Sequence, residues 1–209
     1  MKTISNMWFR ARCSVLNLIG DCNAVAAVEF TLIAPMMLVM FFGTVEFSTG
    51  VAVNRKVTLI ARTLSDLTSQ SLSVADTDLS NFFIASNAIM TPYPGAPTQA
   101  TLCELYVNPT TLAVKVEWIK SATFSSSGAV VLAAGVATNC PIAIPSQLVV
   151  AGTYLIFSKV TYAYTPVVGY LGVTPTFTLG DVSYTRPRQS KCVIYPTPPV
   201  GTPLGNCPT

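Results

Sequence analysis

The run FTLIAPMMLVMFFGTV, from Phe30 to Val45, contains no charged residue and is bracketed by Glu29 and Glu46. A helix needs roughly 20 mostly apolar residues to cross a bilayer. Val25 to Phe47 supplies that length, with the two glutamates as its only charges. A secretory signal peptide has a shorter apolar core and an A-x-A-like site after it. Here TVEFSTG follows, which is a poor site, and the run starts late in the chain. A membrane span is therefore expected over 25–47.

Orientation is nearly balanced by charge. Lys2, Arg10 and Arg12 precede the span; Arg55, Lys56 and Arg62 follow it. The α-amino group tips the count towards an N-terminus inside. The cysteines agree. Cys13 and Cys22 lie before the span, whereas Cys103, Cys140, Cys192 and Cys207 lie after it, on the side where disulfides persist.

Glu29 then needs a reason. A carboxylate at mid-membrane costs roughly 2.5–3.5 kcal/mol on insertion scales, and less near the edge. Either Glu29 snorkels to water at the cytoplasmic edge, or it awaits a positive partner.

The amphipathic period continues beyond Glu46. Val53, Val57, Ile60, Leu64 and Leu67 recur at spacings of three and four, so one helix is expected from Val25 to Thr68. DTDLSNFFIASNAIM (76–90) reads as a second helix, started by Asp76 or Thr77 and carrying an apolar face of Leu79, Phe82, Phe83 and Ile84. The Asp76-x-Asp78 pair reads as capping in preference to a metal site. TPYPGAP ends that helix.

From Ala100 the pattern turns to strands. TLCELYV and LAVKVEWI flank NPTT as a hairpin, with Val114, Val116 and Trp118 on one face and Lys115 and Glu117 on the other. SSSGAVVLAAGVATNCP reads as a loop with room for a short helix. TYLIFSKVTYAYTP and TFTLGDVSYTRPR read as antiparallel partners joined by VVGYLGV. The aromatic residues Tyr154, Phe157, Tyr162, Tyr164 and Tyr184 are expected to pack the sheet, and Arg186 and Arg188 to be charges at a strand end. The expected fold is α+β: a long N-terminal helix packed on a small antiparallel sheet of about four strands. The boundaries are 1–24 for a leader, 25–70 for the membrane and stalk helix, and 71–209 for an exported head.

AVAAVEF (24–30), the following TLIAPMMLVMFFGTVEF with Ala34-Pro35 and Gly43-x-x-Glu46, and the late KVTYAYTP and SYTRPR resemble the TadE-like minor pilins, or pseudopilins, of tight-adherence (Flp-type) pili. The resemblance implies a pilin-like fold and cleavage by a prepilin peptidase between Ala24 and Val25. It makes Glu29 the fifth mature residue, beside Phe30, placed to pair with a freed α-amino group during assembly. It implies other pilins and the assembly platform as partners, and a single pass through the bacterial inner membrane with a periplasmic C-terminal domain. Ala24 departs from the glycine usual at that place, and 71–151 carries no family motif.

The function classes narrow accordingly. The chain has no histidine, which removes the commonest general base and metal ligand. No G-x-S-x-G elbow or Walker loop is present. No enzyme activity and no cofactor are expected, and a net charge of +3 gives no ground for nucleic-acid binding. The alternative to a pilin is an uncleaved membrane-anchored protein whose exported head acts as an assembly factor or envelope binding module. Four distal cysteines allow three pairings. Cys192–Cys207, around a proline-rich tail, with Cys103–Cys140 is preferred; Cys103–Cys192 is the rival.

Overall fold

The computed structural model describes residues 25–125, 128–135, 139–166, 176–199 and 205–207. The leader, with Cys13, Cys22 and Ala24, and the VVGYLGV connection lie outside the described residues. The elements are α1 (Val25–Ser69), α2 (Asp76–Asn87), a 3₁₀ turn (Ala88–Met90), β1 (Thr98–Val107), β2 (Val114–Phe124), β3 (Val130–Ala134), β4 (Tyr154–Tyr164) and β5 (Phe177–Thr185). The chain divides within α1 into two compact units, Met1–Ser48 and Thr49–Thr209.

In the second unit the fold is α+β. Five antiparallel strands are ordered β3-β2-β1-β4-β5. The later part of α1 covers one face with Val53, Val57, Ile60, Ala61 and Leu64 against Leu102, Trp118, Ile156 and Val160. Beyond Leu64 the buried line of α1 passes through Ser65, Thr68 and Ser69, so Leu67, expected on that line, is half-buried. The hydroxyls are satisfied: Thr68 donates to the Leu64 carbonyl within the helix, and Ser65 donates across to Ser183 of β5 at 2.9 Å.

Helix α2 starts at Asp76 with Ala75 as its N-cap, so neither Asp76 nor Thr77 is the cap expected from the sequence. The Asp78 carboxylate reaches back to accept the Ala75 N–H at 2.9 Å, so Asp78 serves the helix start, whereas Asp76 meets Lys120 and Tyr195. Leu79 and Phe83 are buried, whereas Ile84 is exposed. At the far end Lys56 of α1 donates from Nζ to the carbonyls of Ile89 and Thr91, both at 2.7 Å. A cation there meets the negative end of the helix dipole.

Two sequence expectations are corrected in the sheet. Val114 and Val116 do not share a face with Trp118. Glu104 pairs with Trp118 but Leu105 pairs with Val116, so an extra residue on β2 makes a bulge there. A bulge reverses the alternation of faces. Trp118 joins the core under α1, and Val116 packs on the opposite face with Leu105 and Cys103. The second correction is β3. The stretch read as a loop contains a fifth strand, paired with β2 from Lys120↔Ala134 to Phe124↔Val130. Its Val130-Val131-Leu132 core favours a pleated edge.

The five aromatic residues divide among three clusters. Tyr162 and Tyr164 face α1, Phe157 and Tyr184 the opposite side, and Tyr154 lies against Tyr106 at 4.7 Å between ring centroids. They pack the sheet and form no single exposed face.

Candidate functional site

The first unit is carried by α1 from Val25 to Ser48. Its large apolar side chains face outward nearly everywhere: Phe30 is 72% exposed, Leu32 73% and Phe47 75%. Such exposure without a polar face demands lipid or other helices around it. At 1.5 Å per residue the stretch is about 36 Å long, against about 30 Å of hydrocarbon in a bilayer. The helix is long and apolar enough to cross a membrane once.

Polar groups inside the stretch are turned back onto the helix. Thr31 Oγ1 donates to the Ala27 carbonyl at 2.6 Å, and Thr44 Oγ1 to the Met40 carbonyl at 2.7 Å. Pro35 lies within the helix and takes the donor from the Thr31 carbonyl; proline is tolerated in membrane helices. Glu29 is exposed, four residues after Val25 in the first turns of α1. Residues at that spacing stand on one helix face, so the carboxylate and the chain at Val25 present to the same side. Ala24, the other half of the expected cleavage site, lies outside the described residues.

The model of the TadE-like protein family matches residues 24–64. This segment is TadE-like. The TadE-like stretch covers the exposed helix with Glu29, Phe30 and Glu46, and continues into the part of α1 that lies on the sheet. No curated protein and no solved structure matches the chain.

The rest of the chain, beyond the TadE-like segment, supplies its own chemistry. The structure bridges Cys103 to Cys140 and Cys192 to Cys207. The first bridge joins β1 to the segment that covers the sheet face away from α1, where Ile144 and Leu148 pack. The second closes the C-terminal tail beside Tyr106 and Tyr154. Among the described residues no group of three or more acidic or cysteine side chains is placed to hold a metal ion.

The residue missed by sequence reasoning is Glu104. It is fully buried at the centre of β1. Its Oε1 accepts the Val193 N–H at 2.6 Å and its Oε2 accepts the Trp118 indole N–H at 2.9 Å. Burial pushes its carboxyl up to about 7, against the pull of those two donors. The available signal was one glutamate inside an otherwise apolar strand, TLCELYV. Nearby, Lys120 meets Asp76 at 2.8 Å, and Tyr195 donates to the same Asp76 oxygen at 2.9 Å. The Lys120 hydrogen bond, then that of Tyr195, holds the Asp76 carboxyl below its usual range.

Proposed function

We propose that the protein is a minor pilin or pseudopilin of a tight-adherence pilus, with a structural rather than an enzymatic role. The observation that carries this reading is the TadE-like helix, apolar on all sides, with a single carboxylate at Glu29 near its start. A prepilin peptidase cuts between Ala24 and Val25. The mature helix stays in the inner membrane, N-terminus inside, with the head in the periplasm, until it joins other pilins on the assembly platform. Glu29 then neutralises a neighbouring α-amino group within the helix bundle, where a lone charge of either sign is costly. The two disulfides support an oxidising compartment for the head.

A second reading has one observation in its favour. Ala24 stands where such peptidases prefer glycine. On that reading the chain stays uncut, and the head is an anchored assembly factor or envelope binding module.

N-terminal sequencing of membrane-extracted and of assembled protein separates the two. A mature N-terminus at Val25 is expected. Intact Met1 in assembled material rejects the processed-pilin reading, and full-length protein confined to the membrane supports the anchored one.

A further inference from the structure

The face of the sheet turned away from α1 has two unlike halves. In one, Cys103, Leu105, Leu155 and Phe157 are buried beneath the segment that the Cys103–Cys140 bridge ties down. The other is polar. Register sets Thr101 between Ser121 of β2 and Lys159 of β4, and Gln99 between Thr123 and Thr161. Gln99, Thr123 and Lys159 are exposed; Thr101, Ser121 and Thr161 are half-buried. Asn139, one residue before Cys140, forms one wall of a cleft of about 230 Å³ whose other lining is Gln99, Thr101, Lys159 and Thr161. Gly180 of β5 stands beside Thr161, where a Cβ would come within 3.3 Å of the threonine methyl. Its lack of a side chain leaves that flank open.

The lining is rich in donors. Lys159 brings three N–H groups and a full charge, Gln99 and Asn139 bring amides, and Thr101 and Thr161 bring hydroxyls. The other two lysines of the sheet are neutralised, Lys115 by Glu117 at 3.3 Å and Lys120 by Asp76 at 2.8 Å, whereas among the described residues Lys159 forms no ion pair. The sheet's other carboxylates lie away from the cleft. Glu104 is buried on the α1 face beside Trp118. Asp181 is one residue out of phase with Gly180 and Val182, opposite Val160. A solvated sheet face commonly intersperses charges of both signs; Lys159 is opposed by Thr101 and Val182. β1 and β4 are inner strands, paired on both edges, so they have no free main-chain ladder to offer a peptide. One cation among neutral groups is too little charge for a nucleic acid, with a phosphate at every nucleotide. It suits a carboxylate on a ring whose other oxygens are hydroxyls.

We propose that this cleft is a binding site for an acidic polysaccharide and takes one hexuronate residue of it. The sugar carboxylate meets the Lys159 ammonium in a charge-assisted hydrogen bond, and the sugar hydroxyls meet Gln99, Thr101, Asn139 and Thr161. The volume sets how much of the ligand is held. Small-molecule pockets run to roughly 300–1,000 Å³. A cleft of about 230 Å³ therefore holds one residue and lets its neighbours run over Ser121 and Thr123. The Cys103–Cys140 bridge next to Asn139 keeps that wall on the sheet. The inference stands on the head alone and does not depend on processing or on assembly into a pilus.

Isothermal titration of the full-length protein, held in a detergent without a sugar headgroup, tests it with oligogalacturonate as the probe. Saturable binding is expected. The methyl-esterified oligomer keeps the hydroxyls and loses the charge, so it should bind about tenfold more weakly, the loss of one charge-assisted hydrogen bond. Lys159→Gln should lose about the same factor, and Lys191→Gln, at an exposed lysine of the C-terminal tail, should lose nothing. Lys159 is exposed, so its replacement leaves the fold intact, as far-ultraviolet circular dichroism will show; the ester comparison needs no variant. Absent binding, equal affinity for the ester, undiminished affinity in the Lys159→Gln protein, or an equal loss in the Lys191→Gln protein would overturn the site. So would acetate displacing the oligomer at the same concentration of carboxylate, because the ring would then contribute nothing. Oligothymidylate binding as tightly would overturn it too, because the attraction would then be one of general charge.

Discussion

Ser158 Oγ donates a hydrogen bond to the Ala61 carbonyl at 2.5 Å, joining the middle of β4 to the middle of the helical stretch above it. Both residues are buried, Ser158 completely. A serine at this point lets helix and strand approach closely while keeping its hydroxyl satisfied. Ser158→Ala is expected to cost the second unit about 1 kcal/mol. The cost stays modest because the Ala61 oxygen remains a normal helical acceptor. Ser158→Val adds volume under the helix and should cost more, roughly 1–3 kcal/mol. Denaturant unfolding of the three proteins measures this, and an Ala variant as stable as wild type would show that the bond contributes nothing.

The Asp76–Lys120–Tyr195 group predicts an acid-side pH dependence. The folded-state pKa of Asp76 is depressed. Its contribution is therefore present above its unfolded value of 3.8 and is lost as pH falls below that. Asp76 is largely exposed, with 58% of its side chain accessible. Exposed ion pairs contribute only about 0–1 kcal/mol. Asp76→Asn should thus lower stability by less than about 1 kcal/mol at pH 7, and by less still at pH 2.5. Unfolding at the two pH values checks the sign.

Removing the disulfides should have unequal effects. The Cys103–Cys140 bridge closes 37 residues and Cys192–Cys207 closes 15. In the chain-entropy account these loops correspond to about 4 and about 3 kcal/mol. Cys103→Ala/Cys140→Ala should lower the unfolding midpoint more than Cys192→Ala/Cys207→Ala. Non-reducing peptide mapping should return those two pairs, and a Cys103–Cys192 peptide would refute the connectivity.

Glu29→Ala protein should be inserted and processed like wild type yet be incorporated poorly into pili. On the proposed reading the carboxylate is offered to a partner in the assembly, not to the peptidase. Normal piliation of this variant would end that account of Glu29. Glu46→Gln should be tolerated, because on the same reading it lies at the other end of the apolar run, near the headgroups. Ala24→Gly should speed cleavage, read as the ratio of precursor to mature protein on a pulse-chase gel.

Much of the fold is legible in local pattern. The apolar run bounded by Glu29 and Glu46, the helical period through Leu64, the NPTT hairpin and the antiparallel β4 and β5 each declare themselves within a few residues. Periodicity and turn chemistry are short-range properties, so sequence carries them openly. At the first candidate site, Glu29 and Phe30 stand out because charge beside an uncharged run is also local. What only tertiary structure decided is non-local. β1 sits between β2 and β4, so Cys103 faces Phe157, and one extra residue on β2 moves Trp118 to the face opposite Val116. β3 became a strand because β2 offered it an edge. Glu104 read as one polar residue in a strand. Its role depends on Val193, far along the chain, returning to place an N–H against it. Burial and partnership of this kind arise from which distant segments meet, and no window of sequence contains both of them.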